Sequence, residues 1–146
     1  MKESLVPLGR IMHEMQKERG CVILFLCSNW ALDNKELSQQ FSQTNLSVEA
    51  LAKLVPEWIK DGRFEKSTIK KLTDLLEEVK NLSVQRELAL SREISAMDSI
   101  SAYSHKIIGP VIDLMVEIAL NDPDHDSAHV SAFSSFLYLK ERIGRE

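Results

Sequence analysis

The sequence predicts an all-α fold, an up-and-down antiparallel bundle of four main helices with short extra helical turns. Apolar residues recur at helical spacing in window after window, no alternating β-branched run is bounded by tight turns, and the connections between periodic stretches are short. The first helix is expected from about Ser4 to Trp30, with Leu5, Leu8, Ile11, Met12, Met15, Val22, Ile23 and Leu26 on its apolar stripe. Pro7 falls close enough to the helix start to be tolerated. Asp33 followed by Glu36 marks a second start. Leu37, Phe41, Thr44, Val48, Leu51 and Leu54 continue it, and Val55-Pro56 is expected to interrupt or restart the helix.

Asp61-Gly62-Arg63 is a turn signal, after which Ile69, Leu72, Leu75, Leu76, Val79 and Leu82 mark a third helix. Ser95 ahead of Asp98 resembles a capping box for a fourth helix carrying Ile100, Tyr103, Ile107, Ile108, Val111, Ile112, Met115 and Ile118. Gly109-Pro110 should kink that helix. After the polar run from Asn121 to Asp126, Asp126 or Ser127 can cap a last helix with Val130, Phe133, Phe136, Leu137, Leu139 and Ile143.

The 146 residues fit a single domain, and 44% hydrophobic residues suffice for one core. A net charge of -4 argues against nucleic acid as a partner, because phosphate neutralisation needs a basic face. The longest uninterrupted apolar run, Cys21 to Cys27, is far short of the roughly 20 residues that span a bilayer. Membrane insertion by this chain is therefore not expected. Cys21 and Cys27 lie on different faces of one helix and cannot bridge each other. Buried free thiols would suit a reducing compartment, which points to the cytoplasm, with an extracytoplasmic domain of a membrane receptor as the alternative.

No catalytic residue and no metal site stand out, and no cofactor is implied. His13 and His105 are isolated. His125 and His129 have the spacing of a helical metal pair among aspartates, but an EF-hand loop starting at Asp122 would have Ser127 where glycine is needed and Phe133 in place of the closing glutamate. There is no glycine-rich phosphate loop and no nucleophile with a neighbouring base, so a binding or signalling module fits better than an enzyme.

Two Lys-Glu-Arg blocks bracket the chain, Lys17-Glu18-Arg19-Gly20 and Lys140-Glu141-Arg142-Ile143-Gly144-Arg145-Glu146. Gly20 interrupts a helix, at a cost of about 1 kcal/mol relative to alanine, which suggests that something approaches the backbone closely there. Arg19 stands between apolar turns, where a guanidinium needs a partner. A helical adaptor or dimerisation bundle would pair Arg19 and Arg142 with Glu18 and Glu141. Alternatively, guanidiniums converging between the first and last helices would repel one another until an anion joined them. A small planar oxyanion matches the guanidinium fork best.

At these residues the sequence resembles the nitrate- and nitrite-sensing (NIT) domains. Gln16-Lys17-Glu18-Arg19-Gly20 is similar to the family's N-terminal signature, and the block from Lys140 to Glu146 is similar to its Lys-Glu-Arg-x-Gly-x-Glu-Arg-Ala motif. Ile94-Ser95 through Tyr103-Ser104, followed by Ile107-Ile108, resembles the segment between them. The resemblance implies a helical sensor domain that binds nitrate or nitrite through Arg19, Arg142 and Arg145, supported by Gln16, Gly20 and Gly144, with Arg86 a further candidate. It also implies an output module in the same full-length chain, of which residues 1–146 would be a fragment, and it is compatible with a homodimer.

Overall fold

The computed structural model describes the chain at residues 2–28, 34–122 and 126–145, and side chains within these at residues 3–28, 35–122 and 126–142. Every described element is helical: α1 (Lys2–Cys27), α2 (Asn34–Asp61), α3 (Lys66–Lys80), α4 (Leu82–Leu90), α5 (Ala96–Tyr103), a π-helical turn (Ser104–Ile108), α6 (Gly109–Asn121) and α7 (Ser127–Arg145). α3 with α4 and α5 with α6 form two segmented rods, so the all-α bundle counts five long helical stretches among the described residues. Successive stretches alternate in direction. With α7 as the fifth, the first and last helices run parallel: Gln40 of α2 reaches Glu14, Ser104 meets Arg19, Tyr138 meets Asp113, and Glu141 meets Arg19.

α1 lies at the centre, packed on α2 and on the α5–α6 rod. Its core stripe is Leu8, Ile11, Met12, Met15, Val22 and Phe25. The same core takes in Leu51, Val55 and Trp58 of α2 and Tyr103, Ile108, Val111, Ile112 and Met115 of the α5–α6 rod. Pro56 does not interrupt α2. The buried Val55 and Trp58 clamp the helix, while Pro56 and Ala52, whose carbonyl loses its usual donor, sit on the exposed face where water can substitute.

The Gly109-Pro110 break is absorbed by the π turn. Proline has no N–H to return to Lys106, and the helix widens so that the Gly109 N–H bonds to the Ser104 carbonyl five residues back. A Cβ on Gly109 would stand 3.1 Å from that carbonyl oxygen, which explains the glycine. Ser104 is thereby carried to the face of the rod that looks at α1.

The turns follow local chemistry. Gly62 takes a positive φ of 71° between α2 and α3. Ser95 caps α5, accepting from the Asp98 N–H at 3.1 Å, and Asp126 caps α7 by accepting from Ala128 at 2.9 Å. The expected cap at Asp33 lies outside the described residues. Leu90 ends α4 in a Schellman arrangement, with Glu93 N–H on Leu88 O and Arg92 N–H on Ala89 O, although Arg92 at φ 59° stands where glycine is usual. Its guanidinium stacks 4.2 Å from the Phe25 ring centroid and bonds to the carbonyls of Phe25 and Ser28, closing the C-terminal end of α1. Those contacts offset the cost of the left-handed backbone.

Removing the cap on α5 should weaken the bundle without touching its core. Ser95→Ala is expected to cost about 1 kcal/mol in urea unfolding, whereas Met97→Ala, on an exposed side chain of the same turn, should stay within about 0.5 kcal/mol.

Candidate functional site

Glu18 and Arg19 are neighbours in α1 and both are buried, at 0% and 1% exposure. Arg19 shares a face with the core residues Met15 and Val22, four before it and three after it. Adjacent helical residues diverge by about 100°, so the two charges meet different helices. Glu18 accepts from Arg86 of α4 at both carboxylate oxygens, at 3.1 and 2.6 Å, and from the Tyr103 hydroxyl. Arg86 is itself held over the Phe41 ring at 4.6 Å and by Asn45 at 2.7 Å.

Arg19 turns the other way. Its Nη1 donates to Ser104 Oγ at 2.8 Å and to Glu141 Oε2 of α7 at 2.7 Å, and Gln16 Nε2 donates to Glu141 Oε1 at 3.1 Å. Each buried charge thus has its counter-charge from a distant part of the chain. Removing one partner from such a pair costs about 3–5 kcal/mol, because the other is left buried and uncompensated, although an apolar replacement of both can be neutral.

The burial of Glu141, at 4% exposure, corrects the sequence reading of α7. That reading put Phe136 and Leu139 on the core stripe, and they are 62% and 56% exposed. The buried face is Val130, Leu137 and Glu141, with Phe133 partly covered. α7 has apolar residues in two phases, and the phase that is used brings a carboxylate to Arg19. Arg142, the next residue, is exposed, and none of the bonds that hold Arg19 comes from it. Arg145 belongs to α7, but its side chain, and Gly144 beside it, lie outside the described side chains. Gln16 is at the site through its bond to Glu141. Gly20 is not closely approached, since a Cβ there would meet no heavy atom within 4 Å. Arg86 binds Glu18.

Both ends of the chain and the Tyr103-Ser104 turn therefore converge on one buried cluster. The sequence matches the family model for nitrate and nitrite sensing over residues 10–146. The chain belongs to the NIT family. No curated protein matches it significantly, and no solved structure does. In this NIT domain the two terminal motifs are in direct contact, through Arg19 of the first and Glu141 of the second.

The remaining candidates are peripheral. Cys27 is exposed and Cys21 half-buried, both free, where burial of both was expected. His129 is exposed beside Asp126 at 3.5 Å, His125 lies outside the described residues, and among the described residues no group of three or more side chains could hold a metal. No described helix is long and apolar enough to cross a membrane.

Glu141, Glu18 and Tyr103 were not singled out from sequence as site residues. The available signal was phase: Glu141 follows Leu137 by four positions and Glu18 follows Met15 by three, so each continues a core stripe. Composition could not reveal it, because Lys-Glu-Arg usually reads as a solvated face.

The phenols supply a pH test. Burial first, then the Glu18 charge and its hydrogen bond, raise the pKa of Tyr103 well above the ordinary range, and the hydrogen bond to Asp113 pushes that of Tyr138 up to about 12. Folding favours the protonated phenols, so their contribution to stability is complete below about pH 10 and is lost as pH rises through the folded values. Tyrosinate absorbance of the native NIT domain should first rise near pH 12, from Tyr138. Tyr103→Phe should leave that rise unchanged and soften the alkaline loss of stability. A phenol of the native protein titrating near about pH 10 would contradict this arrangement.

Proposed function

We propose that this NIT domain is the sensor part of a longer signalling protein, binding nitrate or nitrite between its first and last helices at Arg19, with Arg142 and Arg145 closing on the anion from α7. The observation that carries the reading is the meeting of the two family motifs at a buried guanidinium, on donors suited to a planar oxyanion. Two buried ion pairs are also a costly way to hold a bundle together compared with apolar side chains. A function that needs charge at the helix interface accounts for them.

Signalling follows by population shift. Nitrate favours the arrangement of α1 and α7 that binds it, and α7 carries the change to an output module in the same chain. Phe136 and Leu139, exposed on α7, are where the output module or a second copy in a homodimer would pack. No catalysis is assigned to the domain, nor contact with nucleic acid. A cytoplasmic location goes with this reading, with an extracytoplasmic domain of a membrane receptor as the alternative.

A second reading, an adaptor bundle without a small-molecule ligand, is favoured by one observation, the Arg19–Glu141 pair that already neutralises the guanidinium. Thermal unfolding in nitrate against equal chloride separates the two. At about a hundred times its Kd, a bound anion stabilises by about 2.7 kcal/mol, a rise in Tm of about 5–10 °C for a chain of this size. Wild type is expected to show that rise and Arg19→Ala to lack it. No heat of binding and no rise with either anion would leave the adaptor reading; an unchanged rise in Arg19→Ala would remove Arg19 from the site.

A further inference from the structure

Arg19, Gln16 and Ser104 form more than an ion pair. Arg19 Nη1 grips one oxygen of the Glu141 carboxylate at 2.7 Å, Gln16 Nε2 grips the other at 3.1 Å, and Ser104 Oγ steadies the same arginine nitrogen at 2.8 Å. Two donors from successive positions along one helix face, each taking one oxygen of a flat, singly charged group, are a receptor for a planar oxyanion. Its present occupant belongs to the protein.

Nitrate and a carboxylate share this chemistry: both are monovalent and present coplanar oxygens. They cannot occupy the donors together, since two anions in one dry site repel each other. The remaining charge in the core does not relieve that conflict, because Glu18 already takes Arg86.

We infer that Glu141 is a built-in competitor of the sensed anion, its carboxylate holding the Arg19 and Gln16 donors until nitrate displaces it and so shifts the end of α7. This rests on the sensor reading above and adds the residue that sets its threshold. Displacement of Glu141 is itself the signal, because the direct Glu141 contact between α7 and α1 is exchanged for one that runs through the anion, which re-seats the last turns of α7. The apparent affinity of the wild type is then reduced by the fraction of molecules in which Glu141 occupies the donors.

Calorimetric titration of nitrate into wild type, Glu141→Gln, Glu141→Asp and Arg19→Ala tests this, with chloride held constant. Glu141→Gln removes the competing charge and should bind nitrate at least about tenfold more tightly than wild type. Glu141→Asp keeps the charge on a stem one methylene shorter and should fall between them. Should Glu141→Gln fail to fold in chloride, Glu141→Asp decides the matter alone. Formate, a carboxylate without a side chain, should compete with nitrate in the wild type. If wild type binds nitrate, Arg19→Ala does not, and the Glu141 variants bind with wild-type affinity or more weakly, the competitor is refuted while the sensor reading stands. If neither wild type nor any Glu141 variant binds nitrate or nitrite, the sensor reading fails and takes the competitor with it.

Discussion

The bundle is organised around two opposite charges set side by side in the middle of its central helix. Glu18 and Arg19 cannot satisfy each other, because the helix points them at different neighbours. Both lie beneath the surface, where an uncompensated charge is prohibitive. Each must therefore recruit a counter-charge from elsewhere: Arg86 for Glu18, Glu141 for Arg19. That requirement fixes α4 and the end of α7 against α1, and it selects which face of α7 is buried.

The rest of the architecture serves the same contacts. An odd number of helical stretches makes the first and last helices parallel, so that two motifs at opposite ends of the sequence meet at one level of the bundle. Pro110 forces the preceding turn wide, and the widened turn presents Ser104 to Arg19 and follows directly on Tyr103, which donates to Glu18. At the far end of α1, Arg92 accepts a left-handed backbone in order to cap the helix and cover Phe25. Hydrogen bonds at these points specify a geometry that apolar packing alone would leave free to slide.

The helices other than α4, the Ser95 and Asp126 caps, the turn at Gly62 and the two motifs were legible in the sequence because each is a local pattern. The continuity of α2 through Pro56 was not, since it depends on which face of the helix water reaches. The end of α4 lacked its glycine signal because Arg92 stands in that place. The phase of α7 was misread for a deeper reason. Phe136 and Leu139 outscore Glu141 on any hydrophobic count, and only the presence of Arg19 across the interface makes the carboxylate the better residue to bury. Arg19 itself was legible as a guanidinium in need of a partner, and the adaptor reading offered Glu18 and Glu141 together; which of the two takes it depends on the roughly 100° between Glu18 and Arg19 and on the phase of α7.

A guanidinium that already holds a carboxylate is poised differently from an empty one. It can exchange one flat anion for another with the guanidinium neutralised in both states, which keeps the energetic gap between them small enough for a weakly interacting ligand to cross. The most direct test is a double-mutant cycle between Arg19→Met and Glu141→Gln, read by urea unfolding in chloride and again in saturating nitrate. The account predicts a coupling of about 2–3 kcal/mol in chloride that shrinks clearly in nitrate. A coupling near zero in chloride would show that the contact does not organise the interface, and a coupling untouched by nitrate would show that the anion does not act through it.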